Sequence, residues 1–185
     1  MKIFFTDQQK QFPKYLLEFK NRSIIPYQKN FLNHKISRKV LDCKFSNLYF
    51  NSFFDYQIFP SNILAAYPQW IEEKRAVQAG DTIVQQINIP PFNMLSQRFI
   101  VAVRIKEVFD SGSCKGFSYE TLSGHLEKGI STFKIEPERN ISVFTIETYS
   151  APAVSLLKLF QPFSSLYQDY CTSQALANVK QKLSC

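Results

Sequence analysis

Little in this chain is arranged for familiar catalytic chemistry. Its 185 residues hold two histidines, five glycines, one tryptophan and four cysteines. His34 and His125 stand far apart and no Cys-x-x-Cys occurs, so no metal-ligand spacing is present and no metal or cofactor is implied. There is no glycine-rich phosphate loop, which argues against nucleotide hydrolysis. No serine lies in a Gly-x-Ser-x-Gly elbow. Cys43, Cys114, Cys171 and Cys185 read as reduced thiols. No apolar run approaches the ~18 residues of a membrane span. The opening "MKIFFTDQQK" has one Lys and an apolar run too short for a secretion signal, so the expected location is cytoplasmic. Repeats and low-complexity segments are absent.

What is abundant is phenylalanine and, at one end, positive charge. Eighteen Phe imply a generously packed core or an apolar cavity lined with rings. The formal net charge is +7, and residues 1–50 carry all of it, with ten Lys/Arg against Asp7, Glu18 and Asp42. The remainder balances at twelve of each sign. A basic, aromatic-rich segment of this kind suits an anionic membrane or nucleic acid, or is simply a solvated surface; its dispersed charges favour the latter.

The length predicts one domain over residues 1–185, a basic N-terminal segment (1–50) followed by a core. A short helix is predicted over 13–20, with Pro13 in its first turn. Residues 44–59 carry β-favouring aromatics without a clean period. "PSNILAAYPQW" predicts a helix opening at Ser61, broken near Pro68, with Trp70 as a structural anchor. Five strands then follow: 82–89, 98–109, the "KGFSYETLS" segment, 130–136 and 141–149. Short turns between them imply an antiparallel meander. From Ser150 onward the period becomes helical, with Leu156, Leu157, Phe160, Phe163, Tyr167, Tyr170, Cys171 and Gln174 on one face. Pro162 is expected to kink or split this helix. The expected fold class is therefore α+β, a curved antiparallel sheet gripping a long C-terminal helix.

The densest motif is "GFSYETLSGHLEKGISTF", residues 116–133. Tyr119, Thr121, Ser123, His125 and Glu127 share parity, so an unbroken strand would present them as one polar row roughly 7 Å apart. In one reading the row lines a cavity mouth, with His125 and Glu127 as ligand contacts or an acid–base pair. In the other, Gly124 and Gly129 bracket a hairpin loop and both side chains merely satisfy backbone groups. On the helix, Phe160, Phe163, Tyr167 and Tyr170 serve as core, as cavity wall, or as both. The candidate ligand-binding set is thus Tyr119, Thr121, His125, Glu127, Phe160, Phe163, Tyr167 and Tyr170, with no catalytic set. Gln168 and Tyr149 are weaker candidates, and His34 reads as a surface residue.

Four pieces of this chain resemble a family catalogued as domain of unknown function 1990. They are the aromatic segment ending at Trp70 and followed by Gly80; "RFIVAVRIKEVF"; "GFSYETLSGHLEKGISTF", similar to a Gly-Phe-x-Tyr-x-Thr-Leu-x-Gly-His-x-Glu-x-Gly run; and "YSAPAVSLLKLFQPFSSLYQDY". The resemblance covers roughly residues 56–178, and more weakly the region of Tyr27. Within the run, Glu120 stands where Gly is usual, Ser123 and Leu126 where Pro is usual, and Ile130-Ser131 where acidic residues are common. Those departures weaken an acid–base or metal cluster here. The resemblance implies the START-like helix-grip fold, whose members mostly bind apolar small molecules, while a few branches are cyclases or hydrolases. Three functions stay open: a non-enzymatic binder of an apolar or amphipathic molecule between sheet and helix, which is favoured; a hydrolase or isomerase using His125 and Glu127; and a membrane or nucleic-acid binder through residues 1–50.

Overall fold

The five strands expected from alternation form in the computed structural model: β4 (Thr82–Ile89), β5 (Gln97–Ser111), β6 (Cys114–Thr121), β7 (Glu127–Glu138) and β8 (Ile141–Pro152). Each pairs antiparallel with the next. Three further strands enlarge the sheet: β1 (Lys2–Phe4), β2 (Asn33–Leu41) and β3 (Leu64–Pro68). The order is β2-β8-β7-β6-β5-β4-β3, with β1 beside β5. Among the described residues four α-helices accompany it: α1 (Phe12–Phe19), α2 (Asn51–Phe54), α3 (Gln69–Glu72) and α4 (Gln161–Lys182). The structure describes residues 1–91, 96–153 and 161–183, the side chains of 161–165 excepted.

Both faces of the sheet are used. On the outer face, Phe12, Tyr15, Leu16 and Phe19 of α1 pack on Ala65, Val84, Ile100, Ala102 and Leu122. Their i, i+3, i+4, i+7 spacing makes that apolar stripe. Arg104, projecting outward from β5, donates to the Lys20 carbonyl at 2.6 Å and so caps the end of α1. On the inner face, Ile83, Val103, Ile105, Phe117, Phe133, Ile135 and Phe144 meet Phe53, Ile58, Trp70, the α4 residues Ala175 and Val179, and Leu183 just past α4. A bulge between Ile105 and Glu107 resets the alternation of β5, so that Val108 rather than Phe109 points inward.

The basic N-terminal segment is built into this frame. Lys2 and Arg22 pair with Glu18, Lys20 with Glu73, Lys35 with Asp169 and Arg38 with Glu138. Exposed pairs of this kind contribute ~0–1 kcal/mol each, whereas fully burying one Phe or Leu contributes about 1.5–3 kcal/mol. The α1 apolar stripe, not charge pairing, holds this segment on the sheet.

Several expectations change. Residues 64–68 are a strand, not part of a helix opening at Ser61. Leu64 and Ala66 face the inner core while Ala65 and Tyr67 face the outer one. A strand apolar on both faces has no period-two signal, and helix begins only after Pro68. The aromatic stretch after Cys43 is no strand; it folds as short helical turns and α2. Its rings Phe53, Phe54, Tyr56 and Phe59 cluster with Phe117, Phe133 and Phe144. β8 runs on to Pro152, past the helix start expected at Ser150. Leu156, Leu157 and Phe160 lie outside the described residues, as does the side chain of Phe163. Cys43 is disulfide-bonded, against the expectation of four reduced thiols, while Cys114 and Cys171 are free; spacing alone carries no pairing information for such isolated cysteines. No described helix is long and apolar enough to cross a membrane.

Candidate functional site

The 116–133 motif is a strand–loop–strand unit whose glycines have steric reasons. β6 ends at Thr121, and the loop to β7 turns through Gly124 at φ +86°. A side chain at Gly124 would meet the Met1 nitrogen at 2.4 Å. The loop is strapped by the N-terminal segment: Ser123 N–H donates to the Ser23 carbonyl at 2.8 Å, and Arg22 donates to the Ser123 carbonyl at 3.1 Å. Thr121 closes the unit, its hydroxyl oxygen accepting from Gly129 N–H at 3.1 Å.

His125 is part of this loop. Burial lowers its pKa to about 4, so the ring is neutral near pH 7. Its Nδ1 accepts from Glu127 N–H at 3.1 Å. The expected polar row is therefore broken. Tyr119 and Glu127 face inward on paired strands, Thr121 serves the hairpin backbone, Ser123 bonds Ser23, and His125 holds the loop.

Glu127 opens β7 on the inner face, where Gln168 of α4 donates to its carboxylate. Burial pushes its pKa up to about 7. Tyr119 and Cys171 lie close enough to feel its charge. Burial likewise pushes the Cys171 thiol up to about 11, so it stays protonated and a poor nucleophile. Tyr167 donates to the Asn88 carbonyl at 2.8 Å, tying α4 to the end of β4. Tyr119 has Tyr56, Ser131 and Gln85 as hydrogen-bond partners, and Gln85 Nε2 donates to Tyr56 Oη at 2.8 Å. The inner face thus has an apolar end, around Phe117, Phe133 and Phe144, and a polar end from Tyr119 to Glu127.

The two ends differ in filling. Phe133 and Ile135 of β7 are 1% and 0% exposed. Ser131 and Glu127, on the same face of the same strand, remain partly accessible, as do Tyr167 and Gln168 opposite. The apolar end is fully buried, while among the described residues the polar end keeps part of its surface accessible. Tyr170 departs from expectation: it is 42% exposed. The buried stripe runs Cys171, Ala175, Val179, and Tyr170 stands about 100° off it. His34 and Tyr149 are elsewhere too, stacked on each other at 4.2 Å beside Glu147. Trp70 is buried and donates to the Phe54 carbonyl at 3.0 Å.

Sequence reasoning misses Tyr56, Gln85, Ser131 and Asn88 and underrates Gln168. Gln85 has a readable signal, a polar residue at inward parity two positions from Ile83. Ser131 has the same signal beside Phe133. Tyr56 has none, because a loop at φ 59° delivers it. A separate cleft of about 290 Å³ lies beside Trp70, walled by Phe54, Asp55, Arg75 and Val108. Its one guanidinium is already engaged by Asp81 and Glu73. Among the described residues no group of His, Cys, Asp and Glu is placed to hold a metal.

Comparison with known proteins fits this picture. The model of a family described as Domain of unknown function (DUF1990) matches residues 52–178. The chain belongs to that family. The family match runs from α2 into α4 and so takes in the whole meander and the polar end of the inner face. A solution NMR structure of a protein from Arthrobacter aurescens is 12% identical, with a TM-score of 0.52 over 84% of this chain and 87% of that one. A crystal structure of a hypothetical protein from Helicobacter pylori is 10% identical, with a TM-score of 0.47 over 84% of this chain and 95% of that one. The first shares the fold. None of the curated proteins compared matches. Within the family run, Glu120 is occupied on the outer face: it accepts from Tyr27 at 2.5 Å and from Lys106 at 2.9 Å. Glu120 therefore straps the outer face and adds no charge to the site.

Proposed function

We propose that this protein binds one small amphipathic molecule between the sheet and α4, without transforming it. The observation that carries this reading is the uneven filling of the inner face. One end is packed with Phe rings, and at the other Ser131, Glu127, Tyr167 and Gln168 keep part of their surface accessible around the buried Tyr119. Pockets that are mostly apolar with a few convergent polar groups are the usual form of small-molecule sites. The START-like grip of sheet on helix, which the sequence resembles, suits such a pocket. The arrangement supports catalysis poorly: His125 spends its Nδ1 on the loop backbone, and the Cys171 thiol is held protonated.

Native mass spectrometry of the purified protein tests the reading. A fraction carrying one non-covalent adduct of small-molecule mass, or a complex formed on adding a long-chain alcohol, is the expected result. A uniformly unliganded mass with no thermal stabilisation by any lipid or isoprenoid would overturn it.

A further inference from the structure

We infer that the molecule taken up at this site carries an uncharged hydrogen-bonding head, such as a hydroxyl or carbonyl, and that anionic heads are rejected. This rests on the binding reading above and adds the chemical class. The polar end is made of a carboxyl, phenols, amides, a hydroxyl and a thiol. Glu127 and Ser131 come from β7, Tyr119 from β6, Gln85 from β4, Tyr56 from the loop after α2, and Tyr167, Gln168 and Cys171 from α4. No described Lys or Arg is among the groups that face Glu127; the titratable ones are Tyr119 and Cys171. On β2 and α4, Lys35 pairs with Asp169, Lys180 pairs with Asp42 and Lys182 donates to Gln57.

A fatty-acid or phosphate site needs a cation or a nest of free N–H groups to receive the anion. Here an incoming carboxylate would meet a carboxyl with no cation between them among the described residues, and one of the two would have to take up a proton. A hydroxyl or carbonyl meets partners of both kinds. Glu127 and the tyrosine oxygens accept, and the Gln168 amide and the phenol O–H groups donate. The head would stand at the Tyr119–Glu127 end, and the chain would run toward the Phe-lined end.

Two probes of one chain length decide this: dodecanol and dodecanoate, each below its micelle concentration, followed by thermal shift and calorimetry at about pH 8, where both Glu127 and the acid are ionised. Dodecanol is expected to bind at least about tenfold more tightly than dodecanoate. Glu127→Gln is expected to narrow that ratio by improving dodecanoate binding at least about threefold. Dodecanoate binding as tightly as dodecanol would overturn the inference and leave the binding reading intact. A preference for the alcohol that is unchanged in Glu127→Gln would also overturn it, since the carboxyl would then play no part. Binding of neither probe, by wild type or variant, would remove the binding reading and this inference together.

Discussion

Glu127→Gln is expected to stabilise the unliganded protein at about pH 8 by about 2 kcal/mol, a rise in Tm of roughly 4–8 °C for a chain of this size. The sign follows from linkage. Glu127 titrates at about 7 in the folded protein, against an ordinary value of 4.5. Folding holds the proton on, so between these values the native state binds more protons than the unfolded chain and stability falls as pH rises. Above about 7 the full cost is present, and below about 4.5 it vanishes. The full shift corresponds to about 3 kcal/mol, and partial exposure of the carboxyl reduces it toward 2. Gln keeps an oxygen to accept from Gln168 and has no proton to lose.

His125 works in the opposite sense. Its pKa is lowered from 6.5 to about 4, so its contribution is complete above 6.5 and is lost as pH falls toward 4. Between about 4.5 and 6.5 the two groups offset each other, and the wild-type profile is expected to be nearly flat in their combined contribution. The difference between Glu127→Gln and wild type isolates the carboxyl. Measured by urea unfolding across pH, it should start near zero at acid pH, grow through pH 4.5–7 and level off above. A constant difference at every pH would mean that Glu127 is not a strained buried acid. A group that costs stability in the free protein is what a site retained for binding looks like.

Gly129→Ala is the second large effect. The residue sits in β7 at φ +143°, opposite Ser150 of β8, and an added Cβ would stand 1.9 Å from the Tyr149 carbonyl oxygen and 2.9 Å from its carbon. Both obstacles are backbone of a paired central strand, so neither can swing aside. Strain of this kind at a residue that L side chains rarely adopt, added to a broken ladder, should cost at least about 3 kcal/mol. Gly112→Ala, at a turn where nothing lies within 4 Å, is the matched control and should fall within about 0.5 kcal/mol of wild type. Denaturant midpoints and soluble yield of the two variants check this, and equal midpoints would contradict it.

The meander was legible because β4–β8 carry one apolar face each, separated by Asp-Ser-Gly and Pro-Glu-Arg-Asn turns. The strands that escaped reading lacked that contrast. β2 is an edge strand dressed with Lys and Arg, β3 is apolar on both sides, and β1 has three residues. The site divides in the same way. Tyr119, Glu127 and Tyr167 follow from strand parity and helical spacing. Tyr56 and the Gln85–Tyr119 contact come from non-neighbouring elements that only tertiary packing joins, whereas Ser131 stands opposite Tyr119 on the paired strand. Tyr170 was misplaced for a related reason: on α4 the buried line is set by where the sheet lies, and small Ala175 and Val179 define it better than the rings do.

Filling the open end with protein atoms tests the central claim most directly. Ser131→Leu places an apolar side chain on the inner face between Tyr119 and Glu127, at the cost of one hydroxyl contact to Tyr119. Calorimetric titration of dodecanol into wild type and Ser131→Leu should give one site in the first and binding weakened at least about tenfold in the second, with Tm held or raised. Undiminished binding by a folded Ser131→Leu protein would contradict the account.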